Sequence, residues 1–231
     1  MSDLVWLILA ISAFIAGHEL LSHVLRAPLV TRLGERGFLV VYSAVAFATL
    51  GAAVQIWRNL APDRLWTSAL WVHVVAVVAM AFAAILFVGS VSAPNPALMG
   101  QGAGTASAGG RPRGVQRITR HPMMWSFAIW GIVHIALSAD SRTIVLASGI
   151  VFLALFGAAM QDRKKRARDP AYGAHRAATG FVPFGAQLRG RAGWATAVPG
   201  MTATIGGLVL WALLLWVHPL VIGQPAWPNF S

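Results

Sequence analysis

Six charge-free stretches alternate along the chain with clumps of basic residues. A helix needs about 20 apolar residues to cross a hydrocarbon layer of roughly 30 Å. The predicted spans are Leu4 to about Leu25, Gly37–Trp57, Leu65–Val91, His121–Ala139, Thr143–Gln161 and Trp194–Val217. The first is interrupted by Glu19 and carries His18 and His23 in its second half. Residues 93–114, from Ala93-Pro-Asn-Pro to Gly114, are rich in Gly, Ala and Ser and read as a flexible loop. The pattern predicts an all-α polytopic membrane helix bundle of about six transmembrane helices. Residues 1–231 then make one domain, with 93–114 and the basic stretch 162–193 as cytoplasmic loops.

Composition supports the membrane reading. The chain is 57% hydrophobic and 11% charged, against roughly 25% charged in ordinary soluble domains. Its net charge of +11 would suit a nucleic-acid binder, but a mean hydropathy of +0.67 excludes that class and leaves membrane lipid as the partner. All but three of the 18 Lys and Arg residues fall in the loops after the first, third and fifth spans; the exceptions are Arg58, Arg64 and Arg142. The positive-inside rule puts those loops in the cytoplasm and both termini on the non-cytoplasmic side of the cell membrane. The start, Met1-Ser-Asp-Leu-Val-Trp, has no basic region and reads as a retained first span.

Small residues spaced by four let helices approach closely in lipid. Ala44, Ala48 and Ala52 form such a ladder on the second span, and Ala154 with Ala158 starts one on the fifth. Trp57, Trp66 and Trp194 fall near span ends, where an interfacial belt is expected.

Ionisable residues within spans are costly and mark functional positions. Of seven histidines, His175 lies in the basic loop, His218 ends the last span, and His23 stands one turn after Glu19, within reach of a hydrogen bond. His18, His73 and His134 lie inside apolar stretches. One such imidazole is most simply a hydrogen-bonded core residue; three in a small bundle point to a metal. With no cysteine in the chain, paired imidazoles are natural axial ligands for a haem iron. Arg26, Arg36, Arg117 and Arg120 are the cations for its propionates. By helical rise His18 lies roughly 12 Å from Arg26, His134 roughly 21 Å from Arg120, and His73 about 10 Å inside Trp66. Depth alone favours His73 with His134, a His18–His134 pair needs a tilted porphyrin, and both geometries stay open.

The block Arg117-Ile-Thr-Arg-His-Pro-Met-Met-Trp, with Ala128-Ile-Trp-Gly-Ile-Val-His134 after it, resembles the NnrU family. So do Gly17-His-Glu-Leu-Leu-Ser-His, Leu25-Arg-Ala-Pro through Phe38, Pro94-Asn-Pro, Asp162-Arg-Lys-Lys and His218-Pro, in that order over essentially the whole chain. The resemblance implies a link to nitrite and nitric oxide metabolism in denitrifying bacteria. Related to this family is the zeta-carotene isomerase of plants and cyanobacteria, a membrane protein with haem b that turns a cis double bond of a carotenoid to trans. Its motifs are matched at Gly17-His18, Gly34-Glu-Arg, the Arg-His-Pro block and His134. The resemblance thus implies haem b, axial ligands His18 and His134 with His73 in reserve, Arg120 and His121 beside the cofactor, and either an apolar polyene or nitric oxide as the small partner. It departs at Gly131, where the plant isomerase carries a cysteine, so a sulfur ligand is impossible here.

Two other functions fit the residues. Arg120-His121-Pro122 and the stretch Asp169-Pro-Ala-Tyr-Gly-Ala-His-Arg through Phe181-Val-Pro resemble membrane methyltransferases of the isoprenylcysteine type, which hold S-adenosylmethionine at the cytoplasmic face. Against this, Gln161-Asp162-Arg163 stands where those enzymes carry a Glu-Glu pair, and Pro122 suits a helix start for structural reasons alone. The remaining function is a non-enzymatic assembly partner. Catalytic residues and oligomeric state are not legible.

Overall fold

The computed structural model describes residues 3–93, 112–138, 140–168 and 172–223. Among them every regular element is a helix. Most of the Gly-rich loop, Pro94-Asn-Pro, Ala139 and Asp169-Pro-Ala lie outside the described residues. The longer helices are α1 (Asp3–Glu19), α2 (Arg26–Asn59), α3 (Leu70–Val91), α4 (Pro122–Ser138) and α5 (Ser141–Arg168). Two short helices, α6 (Tyr172–Ala178) and α7 (Gly185–Leu188), precede α8 (Met201–Ile222). Five are long and apolar enough to cross a membrane, α1 being extended to Val24 by a π-helical turn, Leu20–Val24. The fourth predicted span is shorter: α4 has 17 residues and is about 26 Å long.

The helix ends differ from the predicted ones because charge does not end a helix. Long basic side chains reach the interface while the backbone stays helical, so α2 begins at Arg26 and α5 runs on to Arg168. Gly34 breaks α2 with φ of 70°, a value an L side chain rarely adopts. Residues 65–69 are not helical, and α3 starts at Leu70. This puts His73 in the first turn of α3, with its Nδ1 3.2 Å from the Ala69 carbonyl, nearer the helix end than a continuous helix from Trp66 would place it. At the other end of the chain, Pro199-Gly200 delays α8 to Met201, and Trp194 stands in a 3-10 turn.

The described chain forms two compact units, Met1–Ser68 with His134–Leu153, and Ala69–Val133 with Ala154–Ser231. In the first, Leu7, Ile11, Ala53 and Leu146 form the buried core. A Cβ added at Gly149 would lie 2.2 Å from Ile11 Cγ2, so glycine is what lets α5 approach α1. A polar lock holds one end of this unit. Asp140 caps α5 by accepting the Thr143 N–H at 2.9 Å, and Asp63 accepts from the Ser141 N–H at 2.8 Å and hydroxyl at 2.6 Å. Arg142 donates to the Trp57 and Leu60 carbonyls at the end of α2 and lies over the Trp57 ring. The Ala44, Ala48, Ala52 ladder is exposed, and the small residue that α2 buries in this core is Ala53.

In the second unit α3 packs on α8. Leu86, Val115, Ile118 and Ala203 are its buried core. Ala154 and Ala158 are buried, as their spacing predicts. At Gly207 an added Cβ would lie 2.5 Å from the Ile85 Cα and 2.7 Å from its nitrogen, and backbone cannot swing aside.

Gly207→Ala should therefore destabilise the protein by about 1–3 kcal/mol, because overpacking outweighs the gain of roughly 0.5–1 kcal/mol in helix propensity. Gly157→Ala, where nothing lies within 4 Å, should be neutral or stabilising. Thermal unfolding in detergent, followed by tryptophan fluorescence, compares the two directly.

Candidate functional site

The second unit contains a buried ionic cluster built around Asp162 of α5. Its first wall is the entry to α4. Pro122 is the first residue of α4, a position where the missing N–H costs nothing. Thr119 turns the chain: its hydroxyl donates to the Phe181 carbonyl at 2.6 Å and accepts the His121 N–H at 3.3 Å. The Arg120 N–H donates to the Gly180 carbonyl and the Phe184 N–H to the Ile118 carbonyl. These bonds lace residues 118–121 to residues 180–184, two segments far apart in sequence. Gly180 is required there, since a Cβ would come within 2.8 Å of the Val182 oxygen.

Arg120 presents its fork to Asp162. Its Nε lies 2.7 Å from Oδ2, and a terminal nitrogen bonds the same oxygen. The other terminal nitrogen reaches the Thr179 carbonyl at 3.4 Å. His121 Nε2 lies 2.7 Å from Oδ1, and the Tyr172 hydroxyl donates to that oxygen at 2.7 Å. A carboxylate only accepts, so His121 carries its proton on Nε2 and Nδ1 holds a lone pair. Phe181 closes the cluster, with the guanidinium 5.3 Å and the imidazole 5.4 Å from its ring. Trp125 Nε1 donates to the Phe181 carbonyl at 2.7 Å.

Burial sets the electrostatics. It lowers the pKa of His121 despite the carboxylate beside it. It also raises that of Tyr172, and the bond to Asp162 adds to this because it favours the protonated phenol. His175 is stacked on Tyr172 and pushed down to about 4, first by burial and then by the Arg120 charge. Two neutral imidazoles thus stand in a basic segment.

The intramembrane histidines lie elsewhere. His18 of α1 and His134 of α4 belong to the first unit, and His73 to the second. His18 Nδ1 is 2.9 Å from the Phe14 carbonyl, which can only accept, so this nitrogen donates and Nε2 keeps a lone pair. Metal-bound histidines commonly make this bond to a backbone carbonyl, which fixes tautomer and ring orientation. Its donor chemistry therefore fits an axial ligand. His23 pairs with Glu19 at 3.2 Å, as their spacing predicts. Arg120 and His121, expected beside a cofactor, spend their donors on Asp162 and Thr179. Among the described residues no group of three or more His, Asp or Glu side chains is arranged to hold a metal. Sequence reasoning missed Asp162 and Tyr172. The available signal was a lone carboxylate, Asp162, at the end of an apolar stretch with an Arg-His pair elsewhere in the chain.

The sequence profile of the NnrU family, described as NnrU protein, matches residues 6–226, and the chain belongs to that family. It is also similar to a protein of Zea mays named 15-cis-zeta-carotene isomerase, chloroplastic, with 34% identity over 79 residues, which make up 34% of this chain and 22% of the maize protein. The match thus spans less than a quarter of that relative's length. No solved structure matches the chain.

Asp162→Asn keeps the shape but removes the charge that Arg120 faces, and should cost about 3–5 kcal/mol in chemical unfolding; a loss under about 1 kcal/mol would mean the pair behaves as an exposed one. For His175 the unfolded chain binds a proton near pH 6.5 and the folded one near 4, so stability should fall as pH drops through that window. The full loss is on the order of 3 kcal/mol. In unfolding scans from pH 7 to 4.5, His175→Gln should flatten the slope.

Proposed function

We propose that this NnrU-family chain is a membrane haem protein in which His18 and His134 ligate haem b, acting on an apolar polyene within the bilayer as a cis–trans isomerase. The observation that carries the reading is how His18 is held on a membrane-spanning helix: its Nδ1 bonds the Phe14 carbonyl, leaving a lone pair on Nε2, and the rings of Phe14 and Tyr42 stand 4.4 and 5.2 Å from the imidazole. His134 shares the compact unit with His18, and the motif resemblance implies it as the second ligand. The 79-residue likeness to the maize isomerase supports the polyene branch over a role in nitrogen-oxide metabolism.

Bound haem would supply an iron able to draw electron density from a conjugated double bond and so ease rotation about it. The chain's own part is to hold the group, to choose its ligands and to keep water away. Its helices are apolar, so a polyene need not leave the bilayer to reach it. With no cysteine in the sequence, His18 and His134 would hold the group through imidazole nitrogens. The reaction moves no net electrons and needs no co-substrate.

Protein purified in detergent after expression with haem supplied should show a Soret band and sharp reduced bands, at one haem per chain. His134→Ala and His18→Ala should each lower haem affinity at least 10–100-fold or leave a five-coordinate iron. Unchanged spectra in both would remove the ligand assignment. Haem-loaded wild type in liposomes should convert a cis polyene to its trans isomer; avid nitric oxide binding without any conversion would move the role to nitrogen-oxide chemistry.

A further inference from the structure

His18 is held by more than its carbonyl bond. The Phe14 ring stands 4.4 Å away at 66°, and the Tyr42 ring 5.2 Å away at 75°. Both are edge-on contacts, the arrangement aromatic quadrupoles favour. Phe14 belongs to α1 itself and comes with the helix, but Tyr42 belongs to α2 and is brought in by the fold. Beyond Tyr42 the support continues. Its ring lies 5.9 Å from Phe38, which is fully buried, and the Arg26 guanidinium lies 5.3 Å from the Phe38 ring. Arg26 is fixed in turn by Glu35 at 2.5 Å. The π-helical turn Leu20–Val24 begins two residues after His18, and such turns recur at functional sites.

The carbonyl bond settles which nitrogen donates, and the rings settle how far the imidazole can turn. We infer that Tyr42 is a positioning residue for His18: its ring, supported by Phe38, Arg26 and Glu35, fixes the plane of the imidazole that faces the cofactor. The inference rests on the haem reading above. The relevant group is the aromatic ring, because the observed contact is ring to ring.

The test uses the full-length protein loaded with haem. In a bis-imidazole site the ferric low-spin electron paramagnetic resonance signal depends on the angle between the two imidazole planes, and a purely structural side chain would not move it. Tyr42→Phe keeps the ring and should keep the wild-type signal and haem-retention rate. Tyr42→Leu and Tyr42→Met lack the ring; both should shift or broaden the signal and lose haem on the order of tenfold faster to an apo-myoglobin acceptor. Methionine is the second variant because its flexible chain refills the space if leucine fails to fold. Ring-less variants with the wild-type signal and retention would overturn the inference and leave the haem reading standing. A Tyr42→Phe variant that behaves like leucine would overturn it in favour of the hydroxyl. A colourless wild type would overturn both readings.

Discussion

A carboxylate that accepts from an arginine fork, an imidazole and a phenol organises the second unit. In a low-dielectric site each of those donors would be expensive to leave unpaired. Asp162 answers all of them from one position on α5, and in doing so fixes where three separated pieces of chain must meet: the turn before α4, the end of α5, and the segment that opens with α6. Replacing such a cluster with apolar residues of the same volume is often neutral or stabilising, since desolvation cancels much of the Coulomb gain. Its value therefore lies less in net stability than in excluding other arrangements. A basic segment beside a membrane has many surfaces to choose from, and only one places Tyr172, Arg120 and His121 on the same carboxylate.

That view explains why two histidines in the cluster are neutral within a strongly basic segment. Arg120 already supplies the positive charge Asp162 needs, so a second cation at His121 would be buried without a partner of its own. The tautomer follows from the same geometry, with the Nε2 proton directed at the carboxylate. The cluster can be read as a proton-counting device only through its slope with pH, and the sign of that slope is set by burial, not by ion pairing.

Helix type and the approximate spans were legible because apolar length is read directly against bilayer thickness. The ends were not. Arg26 to Arg36 looked like a loop by charge, yet they are helical apart from the break at Gly34, since side chains long enough to snorkel do not interrupt backbone hydrogen bonds. The Ala44, Ala48, Ala52 ladder had the right spacing for close packing, but spacing names a stripe without naming its partner, and the structure packs Ala53 instead. Asp162 was hidden for a related reason. Among Arg163, Lys164, Lys165 and Arg166 it looked like one charge in a solvated run, and nothing local in sequence joins it to an Arg-His pair some forty residues earlier. The Glu19–His23 pair was legible because one helical turn is a local relation.

The same distinction separates the intramembrane histidines from one another. His18 and His73 each have Nδ1 within hydrogen-bonding distance of the carbonyl four residues back, and any helical histidine lacking a better partner can adopt this solution. The bond alone therefore selects no ligand; it only makes either residue competent. What differs is the surroundings. His73 is in the first turn of its helix, and no ring contact accompanies its carbonyl bond among those described. His18 is enclosed by an aromatic ring from its own helix and another from α2, with further packing behind the second. A histidine that merely satisfies a core needs one hydrogen bond and some space. Fixing the ring plane as well has a purpose when the remaining lone pair must meet a partner of defined direction, and a metal bond is such a partner. Depth along the helix favoured His73, but orientation favours His18, and for a directional bond orientation is the stronger criterion.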